Sequence, residues 1–175
     1  MDYGDGRRIE WIYSAGGTKL RKTVYESYNL TYFKDYVGSF VYRKNISEDT
    51  KLKFITTSEG RIKTRTDGSF FRVYDIKDHL GNVRVSFVDN LGTAAVVQED
   101  HYYPFGMCLA GLSFDEGGND YKFLYNGKEL EDDFKLNWYH YGARYYDPQL
   151  GRWMQVDPAD EFNSPYVYCS IDVRR

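Results

Sequence analysis

Runs of aromatic and β-branched residues alternate with short glycine-rich or polar turns along the first hundred positions of the chain. Residues 9–14 form one such run, residues 15–18 read Ala-Gly-Gly-Thr, and residues 19–25 form the next run. Because two such runs joined by a short glycine turn are typical of a β-hairpin, the pattern predicts antiparallel pairing here. Further strands are predicted at residues 30–36, 39–43 and 52–57.

The middle of the chain carries the clearest hairpin pattern. Residues 70–77 and 83–88 flank a loop at 78–82 that reads Asp-His-Leu-Gly-Asn. In the second run, alternate positions are apolar (Val83, Val85 and Phe87), and the positions between them are polar. This period of two predicts a half-buried antiparallel strand.

The loop at 78–82 has a second copy in the sequence. Residues 89–93 share its form, Asp-x-Leu-Gly followed by Asn or Thr, and begin eleven residues later. Eleven residues make one strand and one turn, so the repeat favours hairpin stacked on hairpin in a meander. Glycine in these turns supplies a positive φ, and Asp or Asn bonds the nearby backbone.

The last third of the chain has a different pattern, because all four prolines lie after residue 103. Proline interrupts sheets, so this part is predicted to be more irregular, with strands at 121–125, 136–141 and 143–146. One helical turn is predicted at 128–133, and a polar loop at 115–120. The predicted fold class is all-β: an antiparallel hairpin meander followed by an irregular plug.

Composition supports this fold class and excludes several functions. The chain has 18 Tyr, 11 Phe and 3 Trp, residues that suit a pleated and partly wet surface. The net charge of −3 gives no electrostatic reason to expect nucleic acid as a partner. No stretch is apolar and long enough for a membrane span, and no signal sequence is recognised, so the chain taken alone is expected in the cytoplasm.

Cysteine and histidine spacing does not predict a metal site. Cys108 and Cys169 are far apart, and whether they pair is left open. The three histidines show no ligand spacing, and no cofactor is expected.

Several spaced motifs in the last hundred residues occur together. Residues 124–129 read Leu-Tyr-Asn-Gly-Lys-Glu, and residues 77–84 and 100–106 carry two upstream motifs, the second ending Tyr-Tyr-Pro-Phe-Gly. The main motif consists of Tyr141, Gly142, Ala143, Arg144, Tyr145, Tyr146, Asp147, Pro148, Gly151, Arg152, Trp153, Asp157 and Pro158. This set resembles the core domain of RHS, or YD-repeat, proteins, in a form similar to that of the Bacteroidetes branch.

The resemblance implies an architecture and a set of partners. RHS proteins wind a long β-strip into a hollow shell that encloses or presents a C-terminal effector or toxin. Residues 1–71 are then expected to be degenerate YD-repeat strands, residues 72–168 a core-domain segment, and residues 169–175 a truncated or divergent tail. The expected partners are neighbouring YD repeats and the effector of a secreted or cell-surface parent protein.

Some members of this family cleave themselves with aspartates, and Asp157 matches the first of them. Two carboxylates that share a proton can activate water. However, Asp160 stands where the family has glycine, and the expected second Asp-Pro-x-Gly is missing. The preferred interpretation is therefore a turn in which Asp157 bonds the backbone ahead of Pro158.

Two further groups of charged residues have structural interpretations. Arg144 and Arg152 are predicted to form ion pairs or to stack on Tyr145, Tyr146 or Trp153. The acidic cluster of Glu129, Glu131, Asp132 and Asp133 lacks calcium-loop spacing and is expected to be a solvated turn.

The sequence thus favours a non-enzymatic structural segment of a shell. Two alternatives stay open: a remnant of a self-cleaving aspartyl protease, and a carbohydrate-binding adhesin whose tyrosine rings stack on sugars. In the preferred shell interpretation, tyrosine rings pack while their hydroxyls stay wet. A strip this short leaves open sheet edges, so the isolated chain is expected to self-associate or to need neighbouring repeats. The end at Arg175 is interpreted as that of a truncated gene product.

Overall fold

The first ten strands form one antiparallel sheet in which each strand pairs with the next along the chain. The computed structural model describes residues 1–116, 121–159 and 164–168. The strands of this sheet, here called the strip, are β1 (Arg8–Tyr13), β2 (Lys19–Glu26), β3 (Asn29–Val37), β4 (Phe40–Asn45), β5 (Lys51–Thr57), β6 (Gly60–Thr64), β7 (Phe70–Lys77), β8 (Val83–Asn90), β9 (Thr93–Glu99) and β10 (Phe114–Asp115).

A second, smaller sheet has the same sequential order. It consists of β11 (Glu129–Glu131), β12 (Trp138–His140), β13 (Tyr145–Asp147) and β14 (Arg152–Trp153). Residues 121–159 and 164–168 are here called the plug. Its core is aromatic: Leu124, Tyr125, Tyr139, Tyr146 and Trp153 are buried together. Aromatic side chains bury large areas, so a few short strands suffice for a core.

Register shifts interrupt the strip at several strand pairs. They occur between β1 and β2, β2 and β3, β4 and β5, β7 and β8, and β8 and β9. Each irregularity bends its strand and increases the local twist. A sheet with this many irregularities curves, which suits a surface that packs against a separate body on one face.

The predicted fold class is confirmed, as are the predicted hairpins. The seven predicted strands between residues 9 and 88 match β1 to β5, β7 and β8 to within a few residues, and two later ones match β12 and β13 more loosely. The strands β6, β9, β10 and β14 lie outside the predicted runs. The sheet continues across residues 71 and 72, and the domain division stays a prediction.

Two predictions for the plug are wrong. Residues 121–125 form no strand beyond one isolated bridge, between Phe123 and Glu129. Residues 128–133 do not form a helical turn: β11 occupies Glu129–Glu131, and short 3-10 turns lie on either side, at Tyr125–Gly127 and Asp133–Lys135. Lys, Leu and Glu favour helix locally, but pairing with β12 outweighs that weak preference.

The buried face of β8 also differs from what its alternation suggests. Ser86 is completely buried, whereas Val85 and Phe87 are only half-buried on the opposite face. Val83 is buried because the register shifts beside Lys77. The strip therefore turns polar side chains toward the plug, which binary patterning does not anticipate.

Several expectations fall outside the described residues. They are most of the loop at 115–120, the aspartate at position 160, Cys169 and its pairing with Cys108, and the tail at 169–175. Within the described part of the chain, no helix has the length and apolarity that crossing a membrane requires.

Gly106 offers a test of how tightly the plug packs. Its φ is +88°, and a Cβ would stand 2.5 Å from the Tyr125 ring, whereas Gly111 has a φ of +90° with nothing within 4 Å. Both Gly→Ala variants carry the same backbone strain. Gly106→Ala should therefore lower the free energy of unfolding by about 2 kcal/mol more than Gly111→Ala, measured by urea denaturation. Equal losses would show that the ring yields freely.

Candidate functional site

A row of cations crosses the buried face of the strip. Lys22 lies opposite Lys34 in the β2–β3 register, and Lys34 lies opposite Arg43 in the β3–β4 register. Lys22 and Lys34 are 2% and 5% exposed. Like charges directly opposite each other on neighbouring strands repel, and buried charges need partners. The buried Lys22 therefore requires a negatively charged partner.

The plug supplies that charge from β11 and the turn that follows it. Lys19 Nζ donates to Glu129 and, over 2.8 Å, to Glu131, and Lys22 Nζ donates to Glu131 over 2.6 Å and to Asp133 over 2.7 Å. Glu129 is 4% exposed and Glu131 is fully buried. The prediction of a solvated acidic turn is therefore wrong for these residues. They form the centre of the contact between strip and plug, here called the seam.

Tyrosine hydroxyls complete the ionic network. Tyr32 donates to Asp133 over 2.6 Å, and Tyr36 donates to Glu129 over 2.9 Å. Burial alone would raise the pKa of Glu131, but Lys22 and Lys19 together lower it to about 2. The pKa of Lys22 is raised well above its ordinary value, because its carboxylate neighbours outweigh the effect of burial. The ion pairs are thus charged throughout the physiological pH range.

A second polar network ties β6 to β9 beneath the plug. Arg61 donates to Asp75 over 2.9 Å and to Gln98 over 3.2 Å, and its guanidinium lies 4.1 Å from the centroid of the Tyr121 ring. Gln98 in turn donates to Asp100 over 2.6 Å. Burial raises the pKa of Asp100 to about 6, although the Gln98 amide opposes the shift.

The motifs at residues 77–84 and 124–129 contact each other through Asn82. The Asn82 side chain accepts a bond from the Asn126 backbone N–H over 2.8 Å. Asn126 holds a φ of +50° and donates to the hydroxyls of Tyr141 and Tyr168 over 3.0 and 2.8 Å. Asp78 fixes Asn82 through bonds to its backbone and side chain. The motif at 78–82 therefore positions the plug on the strip.

The main motif forms the aromatic part of the plug and its turns. Tyr145 faces the seam, where its hydroxyl lies 3.0 Å from that of Tyr13. Asp147 accepts from the backbone of Gln149 over 2.8 Å, which fixes the turn through Pro148. Gly142 and Gly151 have positive φ, and Ala143 lies in the turn between β12 and β13. Arg152 is exposed in β14. The aromatic rings of the motif pack with a further tyrosine in one cluster of Tyr141, Tyr146, Trp153 and Tyr168.

Two tyrosine hydroxyls in the plug bond backbone carbonyls. Tyr139 donates to the carbonyl of Gly106 over 3.1 Å, and Tyr146 donates to that of Phe105 over 2.9 Å. The expectation of wet hydroxyls is therefore wrong for these two residues. Their bonds fix the loop at 102–108 against the plug.

Among the described residues, Arg144 is the charged partner of Asp157. Its carboxylate lies 3.0 Å from Arg144 Nη1, an ion pair without hydrogen-bond alignment, and the guanidinium lies 4.2 Å from the Trp153 ring centroid. The hypothesis that Arg144 pairs and stacks is confirmed. Asp157 also accepts from the Ala159 backbone over 2.9 Å, as a turn ahead of Pro158 requires. This arrangement holds a corner of the plug.

Neither a group of metal ligands nor an activated thiol occurs in the part of the chain that the structure describes. No three His, Cys, Asp or Glu side chains there form a group that could hold a metal ion. Cys108 is half-buried with its sulfur 3.9 Å from the Tyr139 hydroxyl, and burial raises the pKa of its thiol to about 11. A thiol with so high a pKa is a poor nucleophile at neutral pH.

Sequence comparison finds similarity to two toxin subunits and one surface protein. Toxin subunit YenC1 of Yersinia entomophaga is 35% identical over 69 residues, which cover 39% of this chain and 7% of that subunit. YenC2 is 33% identical over 78 residues, 44% of this chain and 8% of that one. Salivary gland surface protein 1 of Aedes aegypti is 33% identical over 91 residues, 52% of this chain and 2% of that protein. No family model matches.

Structural comparison finds the same fold within toxin complexes. The crystal structure of TcdB2-TccC3 matches 95% of this chain with a TM-score of 0.73 and 23% identity, over 9% of its own chain. The Tc holotoxin pore of Photorhabdus luminescens matches 95% of this chain with a TM-score of 0.74 and 22% identity, over 8% of its own chain. This chain is thus a small fraction of the length of the proteins it resembles.

The buried ion network predicts a large cost for losing one cation. Lys22→Met leaves Glu131 and Asp133 without their shared partner, so the free energy of unfolding should fall by about 3–5 kcal/mol in urea titrations. Lys51 pairs with exposed Glu48 at the surface, and Lys51→Met should have a much smaller effect. If the two variants lose equal stability, the network does not hold the plug.

Asp100 predicts a pH dependence of stability. Its folded pKa of about 6 lies above the unfolded value near 3.8, so the charged form destabilises the fold above pH 6 and protonation relieves this as the pH falls. Asp100→Asn should therefore be more stable than the wild type by about 2 kcal/mol at pH 7, and equally stable near pH 4.

Thermal or urea unfolding of both proteins from pH 4 to pH 7 measures this difference. Burial lowers the pKa of His140 to about 4, which gives the opposite trend, but this contribution is common to both proteins and cancels. A difference that does not change with pH would contradict the assignment to Asp100.

Proposed function

We propose that the chain is a non-enzymatic structural segment of an RHS-type shell that encloses or presents a C-terminal effector. The observation that carries this proposal is the structural role of the motif residues. They fix turns, stack in the plug core or bind the plug to the strip, as Asn82, Asn126 and Arg144 do. Toxin subunits among the similar sequences, and a matching fold within toxin complexes, support the same proposal.

The strip fits a role as one stretch of a longer wall. Its strands follow chain order, and β1 and β10 form its two edges. Edge strands present backbone groups that pair with another strand, so neighbouring YD repeats are the proposed partners and self-association the expected behaviour without them. The parent protein is proposed to be secreted or exposed at the cell surface. The Bacteroidetes-like form of the motifs stays a prediction.

A graft tests the shell proposal. The stretch of the chain in the TcdB2-TccC3 crystal structure that superposes on this chain is replaced by the whole chain, and the product is examined by electron microscopy and limited trypsin digestion. Closed particles that protect the segment following the graft are expected. The graft with Lys51→Met should behave in the same way, and the graft with Lys22→Met should lose protection because the plug is released. A folded graft that gives only open or aggregated particles would refute the proposal.

The non-enzymatic part has a separate test. The pairing of Asp157 with Arg144 places a cation where an aspartyl protease needs a second carboxylate. The intact mass of the purified chain is expected to stay constant during incubation between pH 4 and pH 8. Cleavage that disappears in Asp157→Asn would support the alternative, a self-cleaving protease.

A further inference from the structure

A cavity lies between the last strands of the strip and the plug. Its volume is about 220 Å³. The strip and the loop after β9 contribute Asp100, Ser113 and Asp115 to its lining, and the plug contributes Tyr121, Leu124 and Leu130. Sites for drug-sized ligands span about 300–1,000 Å³, so this cavity suits a smaller group, such as one side chain or a short alkyl chain.

One carboxylate oxygen of the cavity has no hydrogen-bond donor. Asp100 is 7% exposed, and its Oδ2 accepts from the Gln98 amide over 2.6 Å. Among the residues that the structure describes, no donor bonds its Oδ1, and this oxygen is not sealed inside the protein. Buried charged groups ordinarily have their bonds satisfied. Oδ1 of Asp100 is therefore available to a donor that enters the cavity.

The same carboxylate lowers the stability of the fold at neutral pH. Burial is the main cause that raises the pKa of Asp100 to about 6, and the negative charge of Asp115 acts in the same direction. Asparagine has the same shape as aspartate and would remove this cost. A residue that lowers stability where a neutral residue of the same shape would not is typical of a functional site.

The cations near Asp100 already pair with other carboxylates. Lys122 Nζ lies 3.1 Å from Asp132, and Arg61 donates to Asp75 over 2.9 Å. Both act on Asp100 through space and donate no bond to it. Because an opposite charge close to a carboxylate favours its ionised form, a positively charged ligand would relieve the cost of burying Asp100.

Apolar side chains form the walls of the cavity. Leu124 and Leu130 line it, and the Tyr121 ring is held by an edge contact to Phe54 with 5.2 Å between ring centroids. Walls of this kind contact the carbon chain of a ligand and keep water from its charged end, which strengthens an ion pair. The cavity therefore fits a cation that carries an alkyl chain.

The acceptors of the cavity favour an ammonium over other cations. An ammonium is a point charge with three donors, and carboxylates of Asp100 and Asp115 line the cavity beside the Ser113 hydroxyl. A guanidinium binds a carboxylate best through both oxygens, and Gln98 already bonds one of them. A metal ion needs several protein ligands, and no three His, Cys, Asp or Glu side chains of the described residues form such a group.

We propose that this cavity binds a primary ammonium group on a short alkyl chain, either of a small amine or of a lysine side chain in a peptide. The ammonium would donate to Asp100, and Leu124 and Leu130 would contact the chain. The proposal goes beyond the shell function and does not depend on it, since every residue that it uses lies in this chain.

NMR titration of the isotope-labelled full chain at pH 7 and constant ionic strength tests the proposal. The probes are n-butylammonium, n-butanol, n-butylguanidinium, Nα-acetyl-lysine amide and calcium ion. n-Butylammonium should shift the amide signals of the cavity residues with a Kd of about 1–10 mM, and uncharged n-butanol should bind at least about tenfold more weakly. Binding of Nα-acetyl-lysine amide would extend the proposal to peptide lysines, and its failure to bind would restrict the ligand to free amines.

Matched variants assign the binding to the cavity. Asp100→Asn is expected to be more stable than the wild type at pH 7, so its loss of binding is not a loss of fold, and its affinity for n-butylammonium should fall at least about tenfold. Asp49→Asn removes the same charge from an exposed position outside the cavity lining and should leave the affinity unchanged. Asp115→Asn changes an exposed carboxylate of the lining and should weaken binding about threefold.

Any of four results would overturn the proposal. Absence of shifts with n-butylammonium would mean that no amine binds, and equal affinity for n-butanol would leave only an apolar cavity. Tighter binding of n-butylguanidinium, or displacement of n-butylammonium by calcium ion, would assign the cavity to another cation. Equal affinity in Asp100→Asn and Asp49→Asn would place the binding elsewhere on the chain.

Discussion

Electrostatic neutralisation of the strip by the plug is the interaction on which the rest of this structure depends. The strip places Lys22 opposite Lys34 and Lys34 opposite Arg43, and both lysines are buried. The register gives Lys22 a like charge as its neighbour on β3, and a buried charge needs a partner of opposite sign. Glu131 in β11 supplies this opposite charge, because it accepts hydrogen bonds from both Lys19 and Lys22. Specificity follows from the same contacts, since another register of plug on strip would leave a charge unpaired.

The meander was predictable from the sequence because its determinants are local. Hairpins arise from runs and turns that lie within about ten residues of each other, and β2 to β5 needed no further information. The strands of the plug are two or three residues long, too short to show a period, and β11 contains residues that favour helix. Only pairing across the sheet makes Glu129–Glu131 a strand, and a partner strand cannot be read from local propensity.

The candidate site was predictable in part. A ring partner of Arg144, Trp153, could be named among the candidates, whereas its carboxylate partner, Asp157, was expected only to bond the backbone of a turn. The acidic cluster could not be assigned, because its partners Lys19 and Lys22 lie 112 and 109 residues from Glu131. Burial of charge also contradicts the usual assumption that charged residues lie at the surface. A usable signal was present nevertheless: Lys19 and Lys22 lie in a predicted strand, and a lysine that such a strand buries needs an acidic partner.

Because these partners are far apart in sequence, the contacts of the chain form in a fixed order during synthesis. Every pair of the strip can form as soon as the ribosome releases its two neighbouring strands, and such local contacts form fast. The carboxylates of β11 emerge from the ribosome only after the whole strip. Until then the lysines remain hydrated, so they keep a nascent sheet with open edges soluble and discourage it from pairing with another copy. The same lysines thus first keep the nascent sheet soluble and later form the ion pairs that join the strip to the plug.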